Sequence, residues 1–146
     1  MKFIPILLLS TFLLGQSPWL TDINVAKKEA YQKHRLILLN FSGSDWCSPC
    51  IQMRKKIFDS ETFTLFADST LVLVNADFPR KKKNQSSPEQ TALNNALAEK
   101  YNPTGKFPYT LLLNDGGKVL KAWDGYPDIS PSEFVSQVQE VPRALY

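Results

Sequence analysis

Residues 36–50 of this sequence read LILLNFSGSDWCSPC. The run at 36–41 is apolar except for Asn40, which is typical of a central strand buried on both faces of a sheet. The small residues at 42–44 predict a turn, and from Cys50 onward apolar residues recur at helical spacing. The chain has two cysteines, Cys47 and Cys50. Both therefore stand where a buried strand passes into a helix.

A Cys-x-x-Cys pair at the start of a helix has a specific chemical use. Unpaired N–H groups and the helix dipole favour an anion at the first cysteine, so we expect a lowered pKa and a nucleophilic thiolate at Cys47. Pro49 stiffens the turn, and Ser48 can donate a hydrogen bond to the Cys47 sulfur. We expect Cys47 to attack a substrate disulfide. Cys50, one turn along and more buried, would resolve the mixed disulfide.

Other uses of the pair are weaker. A disulfide across so short a segment restricts the unfolded chain little and would stabilise the fold poorly. A metal site made of Cys47, Cys50 and the single histidine, His34, would lack a fourth ligand. We therefore expect no metal and no cofactor beyond the Cys47–Cys50 disulfide. The alternative function is a non-catalytic module that binds a soft metal such as copper(I) through the thiolates, or that acts as a chaperone.

Length and composition set the class of protein. The chain has 146 residues, enough for one domain, and 43% of them are hydrophobic, which excludes a disordered chain. There are 17 basic and 14 acidic residues, a net charge of +3. This excess is too small to indicate a nucleic-acid partner, and we expect none.

The N-terminus has the pattern of a secretory signal peptide. Lys2 precedes an apolar stretch at 3–15, which is long enough for a signal peptide but short for a membrane span. We predict a signal peptide at 1–17 and one domain at 18–146. An uncleaved anchor or a buried first strand is the alternative. Export to the periplasm or cell envelope would place the cysteines where disulfides persist.

The rest of the chain alternates helical and strand patterns. A first helix is capped by Asp22, and a second starts at Cys50 with Ile51 among its inward residues. Further helices are predicted at 61–67, from 88 to 101 and from Ser130, and strands at 36–41, 71–76, 109–113 and 119–123. Gly116 and Gly117 predict a hairpin between the last two strands. The expected fold is a three-layer α/β/α sandwich with a mixed sheet of about four strands.

From residue 36 to residue 126 the chain resembles the thioredoxin superfamily, and in particular exported bacterial thioredoxin-like proteins. The resemblance rests on features that occur in the same order. They are the strand ending at Phe41, the box Trp46-Cys47-Ser48-Pro49-Cys50, the strand ending Asn75-Ala76-Asp77, the segment Gly105-Lys106-Phe107-Pro108-Tyr109-Thr110, and the Gly116-Gly117 hairpin. The resemblance implies a thioredoxin-like fold and an exported thiol–disulfide oxidoreductase that reduces or isomerises protein disulfides.

The resemblance also implies partners and site residues. The partners would be protein thiols and disulfides and a membrane or soluble electron donor, and we expect a monomer. Trp46, Ser48 and Pro49 would shape the site. Pro108 corresponds to the family's cis-proline, so the Phe107–Pro108 bond is expected to be cis and to lie against the cysteines. Phe107 would offer substrate an apolar contact.

The sequence departs from the family at the position of a buried acid that assists proton transfer at the resolving cysteine. Asn40 occupies that position here, and it cannot ionise. The lysine that often pairs with the acid is also missing, with Leu73 or Val74 expected nearby. The resolving step is therefore expected to depend on water.

Two further features lie outside the cysteine box. The run at 80–83, Arg-Lys-Lys-Lys, is the densest charge in the chain. It is either a solvated loop or a surface for an acidic partner or an anionic surface. Trp46, Trp123 and Tyr126 could form an apolar rim around the site, although Trp123 suits the core of the hairpin equally well.

Overall fold

The computed structural model describes residues 18–142, so the predicted signal peptide at 1–17 lies outside the described residues. Within this range four strands form one mixed sheet in the order β2-β1-β3-β4. Their bounds are β1 Leu36–Ser42, β2 Leu71–Asp77, β3 Tyr109–Leu113 and β4 Val119–Asp124. Strand β1 is parallel to β2 and antiparallel to β3, which pairs with β4 as the predicted hairpin. The expected mixed four-stranded sheet is confirmed.

Helices lie on both faces of this sheet, as predicted. They are α1 Ile23–Lys33, α2 Ser48–Met53, α3 Glu61–Thr70, α4 Pro88–Tyr101 and α5 Pro131–Gln139. The predicted caps are present, because the Asp22 side chain accepts the Asn24 N–H and Ser130 accepts the Glu133 N–H. Helix α2 continues without a break into a π-helical turn, Arg54–Phe58. Among residues 18–142 no helix is both long and apolar enough to cross a membrane.

Two apolar clusters, one on each face of the sheet, hold the layers together. One cluster includes Phe58 of the π-helical turn, Phe63 of α3 and Phe134 of α5. The other joins α1 and α4 to the sheet, with Ala26 and Leu97 among its buried side chains. Because β1 lies between β2 and β3 and is covered on both faces, all seven of its residues are buried.

The expected inward orientation of Ile51 is wrong. Its side chain is 48% exposed, whereas Met53, Ile57 and Phe58 of the same helical stretch are buried as predicted. The wider π-helical turn after Met53 resets the helical phase, so the buried face does not extend back to Ile51. Ile51 therefore lies on the surface beside Cys50.

Candidate active site

The two cysteines lie where strand β1 ends, in a turn held by backbone hydrogen bonds. The N–H groups of Trp46 and Cys47 both donate to the carbonyl of Gly43, at 3.2 and 2.9 Å. Cys47 caps helix α2, and its sulfur accepts the Cys50 N–H at 3.3 Å. Cys47 and Cys50 form a disulfide with their Cα atoms 5.2 Å apart. The geometry places both sulfurs at the first turn of a helix, as predicted from the spacing.

The expected difference in burial between the two cysteines is wrong. Each residue is only 4% exposed. What separates the two is their surroundings, since Cys50 lines a cleft of about 270 Å³ together with Asn40, Asn75 and Arg54.

Asn40 belongs to a polar network behind the disulfide. Its amide Nδ2 donates to Asn75 Oδ1 at 3.0 Å, and its Oδ1 accepts from the Thr110 hydroxyl at 3.0 Å. The parallel register pairs Asn40 with Asn75, so Asn75, rather than Leu73 or Val74, is its neighbour on β2. The sequence analysis missed Asn75 because register is not readable from either strand alone.

Three contacts hold the indole of Trp46 in place. Its indole N–H donates to the Phe78 carbonyl at 2.7 Å, and its ring meets Phe107 edge to face with the centroids 5.4 Å apart. The guanidinium of Arg80 lies over the same ring, 3.7 Å from its centroid. A Cβ at Gly43 would overlap the indole, so this position requires glycine. The Trp46 indole is therefore held in one position, directly before Cys47 in the chain.

The segment before β3 reaches the same end of the sheet. The Phe107–Pro108 peptide bond is cis, as predicted, and Pro108 is buried. The next residue, Tyr109, pairs with Phe41 near the end of β1. Phe107 packs against Phe78 as well as Trp46, with ring centroids 5.5 Å apart in the Phe78 pair.

Ser48 and Pro49 are exposed on the first turn of α2. Within residues 18–142 the Ser48 hydroxyl accepts a hydrogen bond from Gln52 Nε2, at 3.5 Å, and makes none with the Cys47 sulfur. The expected contact with that sulfur is therefore wrong for this disulfide form. The serine side chain turns along the helix surface instead.

Asp45 has a role that the sequence analysis did not find. Its carboxylate accepts the backbone N–H groups of Arg80 and Lys81, each at 2.9 Å, and the Asn84 side-chain amide at 3.0 Å. These hydrogen bonds lower the pKa of Asp45, and the bond from the Arg80 backbone N–H has the largest effect. The Asp45 carboxylate thus ties the loop after β2 to the turn that carries the cysteines.

Other candidate residues lie away from the cysteines. His34 ends helix α1 in a left-handed conformation and is exposed. Trp123 is buried in the core against Phe134, with ring centroids 4.7 Å apart, so it belongs to the hairpin core rather than to a rim. Residues 18–142 contain no group of three or more histidine, cysteine or acidic side chains placed to hold a metal ion.

Comparison with known proteins settles the family. Residues 23–142 match the family described as the thioredoxin-like domain, which is most of the chain. The chain belongs to the thioredoxin-like family. The solved structure of a DsbH oxidoreductase is similar to it, with a TM-score of 0.78 and 31% identity over 96% of this chain and 94% of that chain. A thioredoxin from Thermus thermophilus shares the fold, with a TM-score of 0.64 and 16% identity over 87% of this chain and 88% of that one.

Two curated proteins of Chlamydia pneumoniae are similar to this thioredoxin-like chain. It is 38% identical over 114 residues to the disulfide bond reductase DsbH, covering 78% of this chain and 66% of that protein. It is 27% identical over 96 residues to the thioredoxin-related protein DsbJ, covering 66% of this chain and 27% of that protein. The chain thus spans just under two thirds of one relative and about a quarter of the other. The expectation of a thioredoxin-like protein is confirmed, and the similarity to DsbH supports the expected thiol–disulfide oxidoreductase activity.

Proposed function

We propose that this chain is an exported disulfide reductase in which Cys47 is the attacking thiol and Cys50 the resolving thiol. The observation that carries the proposal is the placement of the disulfide. Cys47 caps a helix and directly follows the fixed indole of Trp46, whereas Cys50 lies one turn along, beside a polar cleft. The reducing direction is supported by the similarity to a protein named as a disulfide bond reductase.

The reaction starts from the dithiol form of the chain. The Cys47 thiolate attacks one sulfur of a substrate disulfide, forms a mixed disulfide with it, and releases the other sulfur as a thiolate that takes a proton from water. The Cys50 thiolate then attacks Cys47 Sγ and releases the second substrate thiol. One substrate disulfide is thereby reduced to two thiols, and the Cys47–Cys50 dithiol is oxidised to a disulfide. A dithiol electron donor, in the membrane or in solution, must reduce it again.

The substrate would lie across Trp46 and Phe107. The two rings form an aromatic surface at the end of the sheet next to Cys47, and Phe107 is only partly buried. Pro108 and the exposed Ser48 and Pro49 would border this surface. An apolar contact of this kind favours flexible polypeptides over small polar disulfides, so protein thiols and disulfides are the partners that we propose. The chain would act as a monomer.

The assignment of the two thiols is tested with single serine variants. Cys50→Ser should accumulate mixed disulfides with a disulfide-containing substrate protein or with a peptide disulfide, because the attacking thiol remains and the resolving thiol is absent. Cys47→Ser should accumulate none. The adducts are counted by mass spectrometry under non-reducing conditions. Equal trapping by the two variants, or trapping by Cys47→Ser alone, would contradict the roles.

Direction and export need separate measurements. The reduction potential of the Cys47–Cys50 pair, equilibrated against glutathione, should fall in the range of thioredoxin rather than that of a strong oxidant such as DsbA, whose potential is about 150 mV higher.

Protein from the native cell envelope should lack its first 15–20 residues by mass spectrometry, as expected for a signal peptide of about this length. Intact chains in the cytoplasmic fraction would contradict export without touching the redox assignment.

A further inference from the structure

Residues 80–83, Arg-Lys-Lys-Lys, are called the basic segment here, and they lie directly beside the candidate active site. Arg80 stacks its guanidinium on the Trp46 ring, 3.7 Å from the centroid, and Trp46 immediately precedes Cys47. All four side chains of the basic segment are exposed. The sequence alone left open whether this run was only a solvated loop, and its contact with Trp46 shows that it adjoins the redox centre.

The basic segment is held in place by its backbone rather than by its charges. The Asp45 carboxylate binds the backbone N–H groups of Arg80 and Lys81, and Gln85 Nε2 donates to the Pro79 carbonyl at 2.8 Å. A short turn of 3-10 helix, Lys82–Asn84, completes the loop. Because these anchors use main-chain groups, the cationic ends of the side chains remain available to a partner.

No acid within the loop balances these charges. Residues 79–88 contain four basic side chains and no acidic one. The ion pairs within residues 18–142 lie elsewhere, at Lys33–Glu29, Arg54–Asp59 and Lys106–Asp124. Lys106, the nearest cation on the segment before β3, is thus already paired. Outside the loop, the Asp45 carboxylate interacts electrostatically with Lys81 and offsets part of this charge. Residues 80–83 therefore keep a net positive charge beside Trp46.

The basic segment also borders a cleft. An open depression of about 550 Å³ is lined by Trp46, Phe78, Arg80, Gly105 and Phe107. Its walls are aromatic, and Arg80 lies at its edge. A guanidinium stacked on a ring keeps its N–H edge free, and that edge matches a carboxylate with two parallel hydrogen bonds. The cleft can therefore receive a polypeptide that brings a carboxylate to Arg80 and apolar atoms to the rings.

We propose that the basic segment selects substrates whose disulfide is flanked by acidic side chains. This inference rests on the proposed reductase function and names its substrate class. Acidic residues near the substrate cysteine would meet Arg80 and the three lysines as the disulfide approaches Cys47, which raises the rate of productive encounter. A polypeptide fits better than a membrane surface, because Arg80 lines an open cleft with Trp46, the residue directly before Cys47, and does not lie on a flat face.

The test uses two cysteine peptides, each joined by a mixed disulfide to 5-thio-2-nitrobenzoate, whose release is coloured. In one peptide the cysteine is flanked by glutamates and in the other by glutamines. The reduced protein is mixed with each peptide, and the second-order rate of release is measured at low and high salt. We expect the glutamate peptide to react about tenfold faster at low salt, within the range known for electrostatic steering. The two rates should converge near 1 M salt, where the Debye length is about 3 Å.

The decisive comparison is between two triple variants. Lys81→Gln/Lys82→Gln/Lys83→Gln should lower the ratio of the two rates severalfold, and the preference that remains is the part carried by Arg80. The matched control, Lys28→Gln/Lys100→Gln/Lys118→Gln, removes the same charge from exposed lysines on other elements and should keep the preference. Because both peptides report on the same Cys47, a change in its thiol pKa alters both rates together and leaves their ratio unchanged.

Several outcomes would overturn the inference. Equal rates for the two peptides in the unmodified protein would do so, as would a preference that is undiminished in the Lys81, Lys82 and Lys83 variant. Lysine-dependent sedimentation with phosphatidylglycerol vesicles, together with equal peptide rates, would assign the basic segment to an anionic membrane surface instead. If both peptides are reduced at the same rate, this inference is wrong but the proposed reductase function is unaffected. If the coloured thiol is released from neither peptide, both the reductase function and this inference are contradicted.

Discussion

Asn40 occupies the position at which the thioredoxin resemblance leads one to expect a carboxylic acid. Its amide is satisfied by Asn75 and Thr110, at 3.0 Å each, and none of these three side chains ionises. Asn40 also lines the cleft that reaches Cys50. The network therefore offers no base to the Cys50 thiol, and the carboxylate that lines the same cleft, Asp59, is paired with Arg54. That the resolving step depends on water stays a prediction.

At this scale we predict the effect of Asn40→Asp. The new carboxylate would provide the missing base, so resolution of the mixed disulfide should be about 100-fold faster near pH 7, the lower end of the range for general base catalysis. It is measured by stopped-flow release of a peptide thiol from the Cys47 adduct. A rate equal to that of the unmodified protein would show that proton transfer from Cys50 does not limit the step.

The same substitution should make stability depend on pH. Asn40 is only 6% exposed, so burial raises the pKa of the new carboxyl above its unfolded value of about 3.9. The folded state then holds the proton more tightly than the unfolded state, so the variant is most stable below about pH 4 and loses stability as pH rises through the folded pKa. We expect a loss of about 1–3 kcal/mol at pH 7 by urea unfolding. Asn95→Asp, on the exposed side of α4, is the control and should show no such trend.

At the scale of elements, the loop between β2 and α4 is bound to the turn between β1 and α2 by one carboxylate. Asp45 accepts two backbone N–H groups and one side-chain amide from that loop. Ser44 adds a second link, since its backbone N–H donates to Asp77 at the end of β2, at 2.9 Å. The two loops therefore form one unit around Trp46.

We predict that Asp45→Asn releases the loop. The amide accepts hydrogen bonds less strongly than the carboxylate, so hydrogen exchange at the Arg80 and Lys81 amides should accelerate on the order of tenfold. In the unmodified protein the hydrogen bonds from the Arg80 and Lys81 backbones and from Asn84 lower the pKa of Asp45 below its ordinary 3.8. The attachment is thus fully present above about pH 4 and is lost only as the pH falls through the lowered pKa.

Exchange mapped by mass spectrometry or NMR at about pH 6 tests this prediction. Asp115→Asn, in the β3–β4 turn, changes the same charge and should leave the exchange of the Arg80 and Lys81 amides unchanged. If Asp45→Asn also left their exchange unchanged, the carboxylate would not be the anchor of the loop.

At the scale of the whole molecule, the redox site and the main stabilising contacts occupy different regions. The cysteines lie at one end of the sheet, while Phe134 of α5 packs under its face. Its ring centroid is 5.9 Å from that of Phe58, 6.0 Å from that of Phe63 and 4.7 Å from that of Trp123. Phe134 is 0% exposed and joins α3, α5 and the π-helical turn to β4.

We predict that Phe134→Ala lowers the free energy of unfolding by about 3–5 kcal/mol, because it removes a fully buried ring and leaves a cavity. Urea denaturation of the oxidised protein measures the loss. At temperatures where the variant remains folded, the rate of Cys47 alkylation after reduction should stay within about twofold, since the truncated ring touches neither sulfur. Leu93→Ala, at a position 39% exposed, should cost far less. A comparable loss in both variants would show that the Phe134 cluster is not the main support of the fold.

The sequence by itself determined the strand at 36–41, the helix that starts at the cysteines, the hairpin turn and the capped last helix. Each of these depends on residues close together in the chain, where spacing and turn chemistry act directly. The order of motifs also predicted the cis bond before Pro108. Only the tertiary structure decided that Asn75 faces Asn40, that Asp45 anchors the loop at 80–84 and that Arg80 covers Trp46. These contacts join residues more than 30 positions apart, and they follow from strand register and loop packing, which no local pattern encodes.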